Sequence, residues 1–258
     1  MTTKVTIGDM TGRPGDPTVP APGECGVAVR WPLLALVVAV LLASNVVVNR
    51  FLPAAAYVPW NLGVAALLVV VARRAGLGWS DLGLHRPTMR RSLWWGVAGV
   101  AAVGAVYVLA LVLPWTSELF VDARAADRGV PDLLYHSMIQ IPLGTVVLEE
   151  LAFRGLLPAV LGSRDVATWH WRAVLGASAL FGLWHVLPSL DLAAANTGVQ
   201  GAVGANEVLA VALAVLGTTV AGVFLCWWRW LGRGLLAPVL VHVATNSLGY
   251  AIAWSLTT

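Results

Sequence analysis

A chain of 258 residues that is 59% hydrophobic and 11% charged, with a mean hydropathy of +0.80, is not an ordinary soluble domain, in which about a quarter of the residues are charged. Its net charge of +3 is too small for a nucleic-acid surface, so no nucleic acid partner is expected and the basic residues matter by where they fall. Cys25 and Cys226 have neither metal-ligand nor redox spacing and frame no disulfide scaffold.

Residues 1–30, rich in Pro, Gly and Thr, read as a disordered cytoplasmic tail that is too polar for a signal peptide. Apolar runs follow at 31–49, 54–72, 93–115, 135–161, 173–188, 208–228 and 235–257. Most approach the roughly 20 residues that a helix needs to cross a bilayer. There is no strand alternation and no internal repeat. The expected fold is an all-α, polytopic transmembrane bundle of about seven helices, a single domain over 31–258. The fifth helix is the shortest.

Lysine and arginine sort across these spans. Lys4, Arg13 and Arg30 precede the first, and Arg73, Arg74, Arg86, Arg90 and Arg91 lie between the second and third. Arg164 and Arg172, then Arg229 and Arg233, fall two and four spans later, on the same side. The other side holds only Arg50, Arg124 and Arg128. The positive-inside rule then places the N-terminus and this basic face in the cytoplasm of a cell (inner or plasma) membrane. Trp94, Trp95, Trp115, Trp169, Trp171, Trp227, Trp228 and Trp230 fall at the expected span ends, as an aromatic belt requires.

The fourth span breaks the apolar pattern. It carries Glu149, Glu150 and Arg154 in "VLEELAFRGLL", and each such charge costs roughly 2.5–3.5 kcal/mol at the bilayer centre on an insertion scale. Glu150 and Arg154 are four apart, acid before base, the favourable order for a pair on one helical face. Glu149 points about 100° away around the axis, which leaves it outside that pair and available for chemistry. The fifth span carries His185, and the seventh carries His242 and Asn246, again four apart. Ser44 and Asn45 in the first span read as interhelical hydrogen bonds.

Ionisable groups inside a membrane face the bundle interior and mark functional sites by default. A carboxylate beside an imidazole can take a proton from water and aim the water at a carbonyl. A second imidazole and an amide N–H2 can donate to the resulting oxyanion. The same atoms can instead hold zinc through Glu149, His185 and His242, with an open position for water. No serine or cysteine stands one turn from a base in these segments, and there is no HExxH, GxSxG or phosphate-cradling glycine loop. Hydrolysis of a peptide bond by activated water uses every residue of the set.

With these residues in view, the chain resembles the CAAX protease and bacteriocin-processing family. "EELAFR" is similar to its EExxxR motif, "FGLWH" to its FxxxH motif and "HVATN" to its HxxxN motif, in the same order. "WSDLGLHRP" resembles an element found ahead of that core, and the likeness covers residues 79–250. The resemblance implies an intramembrane endopeptidase acting on a membrane-associated peptide or protein. It implies that Glu149 and His185 activate the water, that His242 and Asn246 stabilise the oxyanion, and that Glu150 and Arg154 support them. It leaves open whether zinc is bound or no cofactor is needed. A bacterial peptide precursor suits the sequence better as substrate than a prenylated tail. A laterally or cytoplasmically open cavity is expected. Two other readings stand beside this one: a non-catalytic immunity or scaffold protein that keeps the motifs as a folding core, and a proton-coupled carrier.

Overall fold

The computed structural model describes residues 28–257. Cys25 and most of the expected tail at 1–30 lie outside the described residues. Seven long helices occur among the described residues: α1 (Trp31–Arg50), α2 (Tyr57–Arg74), α3 (Met89–Val112), α4 (130–160), α5 (Trp171–Trp184), α6 (Glu207–Gly232) and α7 (Leu236–Thr257). No strand forms among them, only an isolated antiparallel bridge between Asp122 and Asn196. The chain is an all-α, multi-pass membrane protein. The helical segments at Trp31–Arg50, Ala54–Arg74, Arg86–Val112, Glu207–Gly232 and Leu236–Thr257 are long and apolar enough to cross a bilayer.

The bundle has two apolar halves. One joins α1, α2, α4 and α5 through Leu41, Leu68, Leu148, Leu156, Leu157 and Phe181, and the element after α2 adds Leu77 and Leu82 to it. The other joins α3, α6 and α7 through Val103, Leu225, Trp228 and Val241. Small residues set the close approaches. A Cβ on Gly99 of α3 would run into Val241 of α7, and one on Gly182 of α5 would run into Thr219 of α6. The polar residues of the fourth, fifth and seventh helices meet at the seam between the halves.

The loops sort onto two ends. At one, Arg30 N–H donates to Val160 O, Leu235 N–H to Gly83 O and Trp230 Nε1–H to Ala167 O. At the other, Thr197 N–H donates to Val121 O, and Asn196 Nδ2 donates to Leu119 O at 2.9 Å. The basic-rich segments thus share one end, and the segments 116–133 and 188–207 share the opposite end. Ser44 accepts from Trp60 Nε1 at 3.0 Å, and Asn45 donates to Trp184 O at 2.7 Å, so both residues do tie helices together.

Two prolines shape the helices that carry the site. Pro142 lies inside α4 and has no N–H to donate. There the helix widens to i→i+5 bonding over His136–Val146, and again over Leu151–Leu156: Val147 N–H donates to Pro142 O and Leu157 N–H to Ala152 O. In an i→i+5 ladder the carbonyl left without a donor by Pro142 is that of Ser137. Ser247 Oγ of α7 donates to it at 2.8 Å. Pro188 acts in the same way on α5. It cannot return an N–H to Trp184 O, and Asn45 donates there instead. The helix therefore stops at Trp184, where the apolar run suggests 188, and its 14 residues span about 21 Å. His185 sits just past its end, not within it.

Candidate active site

The α-helical turn Val147–Glu150 lies between the two widened stretches of α4 and presents both carboxylates. Glu150 is 0% exposed and Arg154 1%. Glu150 Oε1 lies 3.0 Å from Arg154 Nη1, close but not aligned as a hydrogen bond, while Arg154 sits over the Phe181 ring with its Cζ 3.9 Å from the centroid. The pair expected from the i,i+4 spacing is present. The same Glu150 oxygen also accepts from His242 Nδ1 at 2.7 Å.

Glu149 is 5% exposed. Trp184 Nε1–H donates to its Oε1 at 2.9 Å, and its Oε2 finds no donor within the chain. His242 Nε2 stands 3.6 Å from that Oε2. The two carboxylates do leave α4 in different directions, as the helical arithmetic requires. They nevertheless meet the two ring nitrogens of one imidazole, which α7 inserts across the seam between them. His185 also packs on Phe181, ring to ring at 4.6 Å, with Nδ1 2.8 Å from Phe181 O. Since a carbonyl only accepts, this Nδ1 carries hydrogen and Nε2 is left for other partners.

A cavity of about 500 Å3 lies against His185, His242 and Phe181. His185, His242, Asn246, Tyr107 and Thr245 supply polar or amphipathic lining, and Phe181, Phe224, Leu225 and Trp228 make much of the rest apolar. Its exposed rim residues, Ala102 and Val106 on α3 and Ala221 and Phe224 on α6, open it sideways toward lipid. Tyr107, Thr245 and Asn246 also line a second, more polar cavity, whose wall includes Asp122, Arg124 and Asn196 from the end opposite the basic loops. The exposed rim on α3 and α6 is the side that lateral access would use, and the more polar cavity lies toward the end opposite the basic loops.

The structure gathers Glu149, Glu150, Arg154, His185, His242 and Asn246 around one seam, but it pairs them in its own way. The imidazole touching Glu149 is that of His242. His185 shares a smaller cavity with Glu149 and faces the large one from the same position. The zinc set does not assemble in this arrangement: among the described residues no three His, Cys, Asp or Glu side chains stand as ligands to one ion. Each histidine has its Nδ1 committed, one to a carbonyl and one to Glu150.

Sequence reasoning missed Trp184, which orients Glu149, and Trp228, which belongs to the cavity wall rather than to the lipid interface. It also missed Tyr57, Asn61 and Thr145, which surround Glu149 on its other side. Asn61 is a polar residue four positions from Tyr57 inside an apolar span, a signal equal in kind to that of His242 and Asn246.

Residues 131–248 match the family model of the type II CAAX prenyl endopeptidases, Rce1-like. That stretch begins in α4, ends in α7 and contains all three motifs. Neither a curated protein nor a solved structure matches the chain.

Proposed function

From the match of residues 131–248 to the Rce1-like type II CAAX prenyl endopeptidase model, we propose that the chain hydrolyses a peptide bond of a membrane-associated peptide or protein with water activated by Glu149. One observation carries the reading. Glu149 Oε2 is a buried acceptor without a donor in the chain, next to His242 Nε2 and on a cavity wall shared with His185. A carboxylate held in this way, its other oxygen fixed by Trp184, is poised to accept a proton from water. The free Nε2 of His185 is the second group available to orient that water.

As the water attacks, negative charge develops on the carbonyl oxygen. Asn246 donates to it through its N–H2 group. His242 donates only when its ring carries both protons, and Glu150 at Nδ1 is the counter-charge for that form. The proton taken by Glu149 then passes to the leaving amine. No step needs a covalent enzyme intermediate. The apolar lateral cavity suits the membrane-embedded part of a substrate, and the polar cavity beyond Asn246 suits its hydrophilic continuation.

The test is cleavage of a panel containing prenylated CAAX peptides, unprenylated controls and single-span bacterial precursors, by wild type and Glu149→Gln, with and without a strong zinc chelator. Cleavage lost in the variant but kept in chelator supports the reading. Cleavage that survives Glu149→Gln overturns it, and cleavage lost in chelator requires a metal ligand set that forms only on rearrangement of these side chains.

A further inference from the structure

Water has to reach Glu149 through a bilayer, and the large cavity on the His242 side is mostly apolar. Behind Glu149 lies a separate cavity of about 160 Å3, enclosed by α1, α2, α4 and the end of α5. Asn49, Tyr57, Asn61, Thr145, Glu149 and His185 supply its polar lining. Asn49 and Pro188 are exposed at its rim, and Asn61 and Glu149 are buried at its inner end, Asn61 to 3%.

Two of its lining residues, Asn61 and Glu149, each hold a buried acceptor with no donor in the chain, Asn61 Oδ1 and Glu149 Oε2. Asn61 Nδ2 is already committed to Gly144 O at 2.7 Å, which fixes the amide with its Oδ1 as the remaining group. Tyr57 and Thr145 share one hydrogen bond at 3.0 Å, and the Tyr57 hydroxyl also interacts with the Asn61 side chain. Buried acceptors are nearly always paired, and water is the donor that fits a small polar cavity. At roughly 30 Å3 each, about five waters fill this one. His185 lines both this cavity and the large one, so water entering here arrives at the Glu149–His185 junction from the face opposite the substrate.

We propose that the Asn49–Tyr57–Asn61–Thr145 cavity is a water inlet, separate from the substrate cavity, that supplies the hydrolytic water to Glu149 from the end of the molecule where α1 finishes and α2 begins. The proposal rests on the peptidase reading for its purpose but not for its existence. It also explains why α1 and α2, outside the matched family stretch, carry polar groups at the level of the site.

Accessibility tests it without substrate. In a Cys25→Ser, Cys226→Ala background, Thr145→Cys, Val220→Cys on the lipid-facing side of α6 and Ala195→Cys, half-exposed at the end of the short helix Leu192–Ala195, are reconstituted in vesicles and treated with a charged methanethiosulfonate. The reagent needs a thiolate, which forms only in water. Thr145→Cys is expected to react within about 100-fold of Ala195→Cys, and Val220→Cys far more slowly. Thr145→Cys as inert as Val220→Cys overturns the inlet. A second variant, Val48→Trp, narrows the cavity beside Asn49 and leaves the hydrogen bonds of Asn49 to Asn45 in place. It should lower kcat at least tenfold while leaving KM within twofold, and an unchanged kcat overturns the proposal. A reactive Thr145→Cys in a protein that cleaves nothing leaves the inlet standing and sinks the peptidase reading. An inert Thr145→Cys in an active enzyme sinks the inlet alone.

Discussion

At the scale of single residues, the two adjacent glutamates are separated by their partners. Glu150 is held by Arg154 and His242, so removing its charge leaves a buried guanidinium without a counter-ion. Glu150→Ala is expected to destabilise the protein by roughly 3–5 kcal/mol, the cost of breaking a buried pair from one side. Thermal unfolding in detergent checks this, and a wild-type midpoint contradicts it. Trp184→Phe keeps the ring and removes the donor to Glu149 Oε1. A hydrogen bond to a charged group contributes about 1.5–3 kcal/mol, so kcat should fall roughly tenfold or more with little change in stability. Folding loss equal to the activity loss would instead make Trp184 a packing residue. The i,i+4 spacing made the Glu150–Arg154 pair legible, and the 100° offset made Glu149 the remaining acid. The meeting of both carboxylates at His242 was not legible, because it depends on how far α7 reaches across the seam.

At the scale of elements, the apolar runs gave the helices because a bilayer admits few alternatives: every backbone group must be satisfied within the segment. The end of α5 escaped, since the run remains apolar to 188 while Pro188 removes the donor for Trp184 O. Its substitute, Asn45, comes from another helix 139 residues away. Asn45→Leu should cost about 1–3 kcal/mol through the orphaned carbonyl and lower kcat by releasing Trp184 and His185 together. A loss of stability with kcat unchanged would show that the tie does not position the site. The loop contact at the far end has its own titration. Burial pushes the Asp122 carboxyl up, but Arg124 outweighs it through side-chain and backbone donors and holds it below the usual aspartate range. A group depressed in the fold stabilises above its unfolded value, about 3.9, and the stabilisation is lost as pH falls through the lower folded value. Hydrogen exchange at 196–203, corrected for intrinsic rate, should be flat from about pH 5 to 7 and rise only below about pH 4. Asp122→Asn should remove that rise.

At the scale of the whole molecule, the distribution of arginine and the packing of loops describe the same two ends, reached by independent physics. Field and translocation bias set the first; hydrogen bonds between loops set the second. Labelling of His85→Cys and Ala195→Cys in sealed vesicles should mark opposite sides, with residue 85 cytoplasmic. Label on the same side contradicts the alternation of the spans, and exchanged sides reverse its orientation. The division into two apolar halves was not readable along the chain, because it is a property of contacts between helices rather than of periodicity within them. It matters for function: the seam is where charge can be buried at tolerable cost, with acids from one half facing an imidazole from the other. The large cavity opens from that seam toward lipid, and the small one opens behind it toward the loops at the end of α1.

The measurement that bears most directly on this account is the single-turnover cleavage rate of Glu149→Gln beside Glu149→Asp, each with its thermal midpoint, on whichever peptide the wild type cleaves. If Glu149 is the base, Gln should fall by at least about 10²-fold with a near wild-type midpoint, as expected when a general base is removed. Asp should retain a measurable, slower rate. Equal rates in Gln and wild type, or a loss of activity in Gln matched by unfolding, would contradict the central role given to this carboxylate.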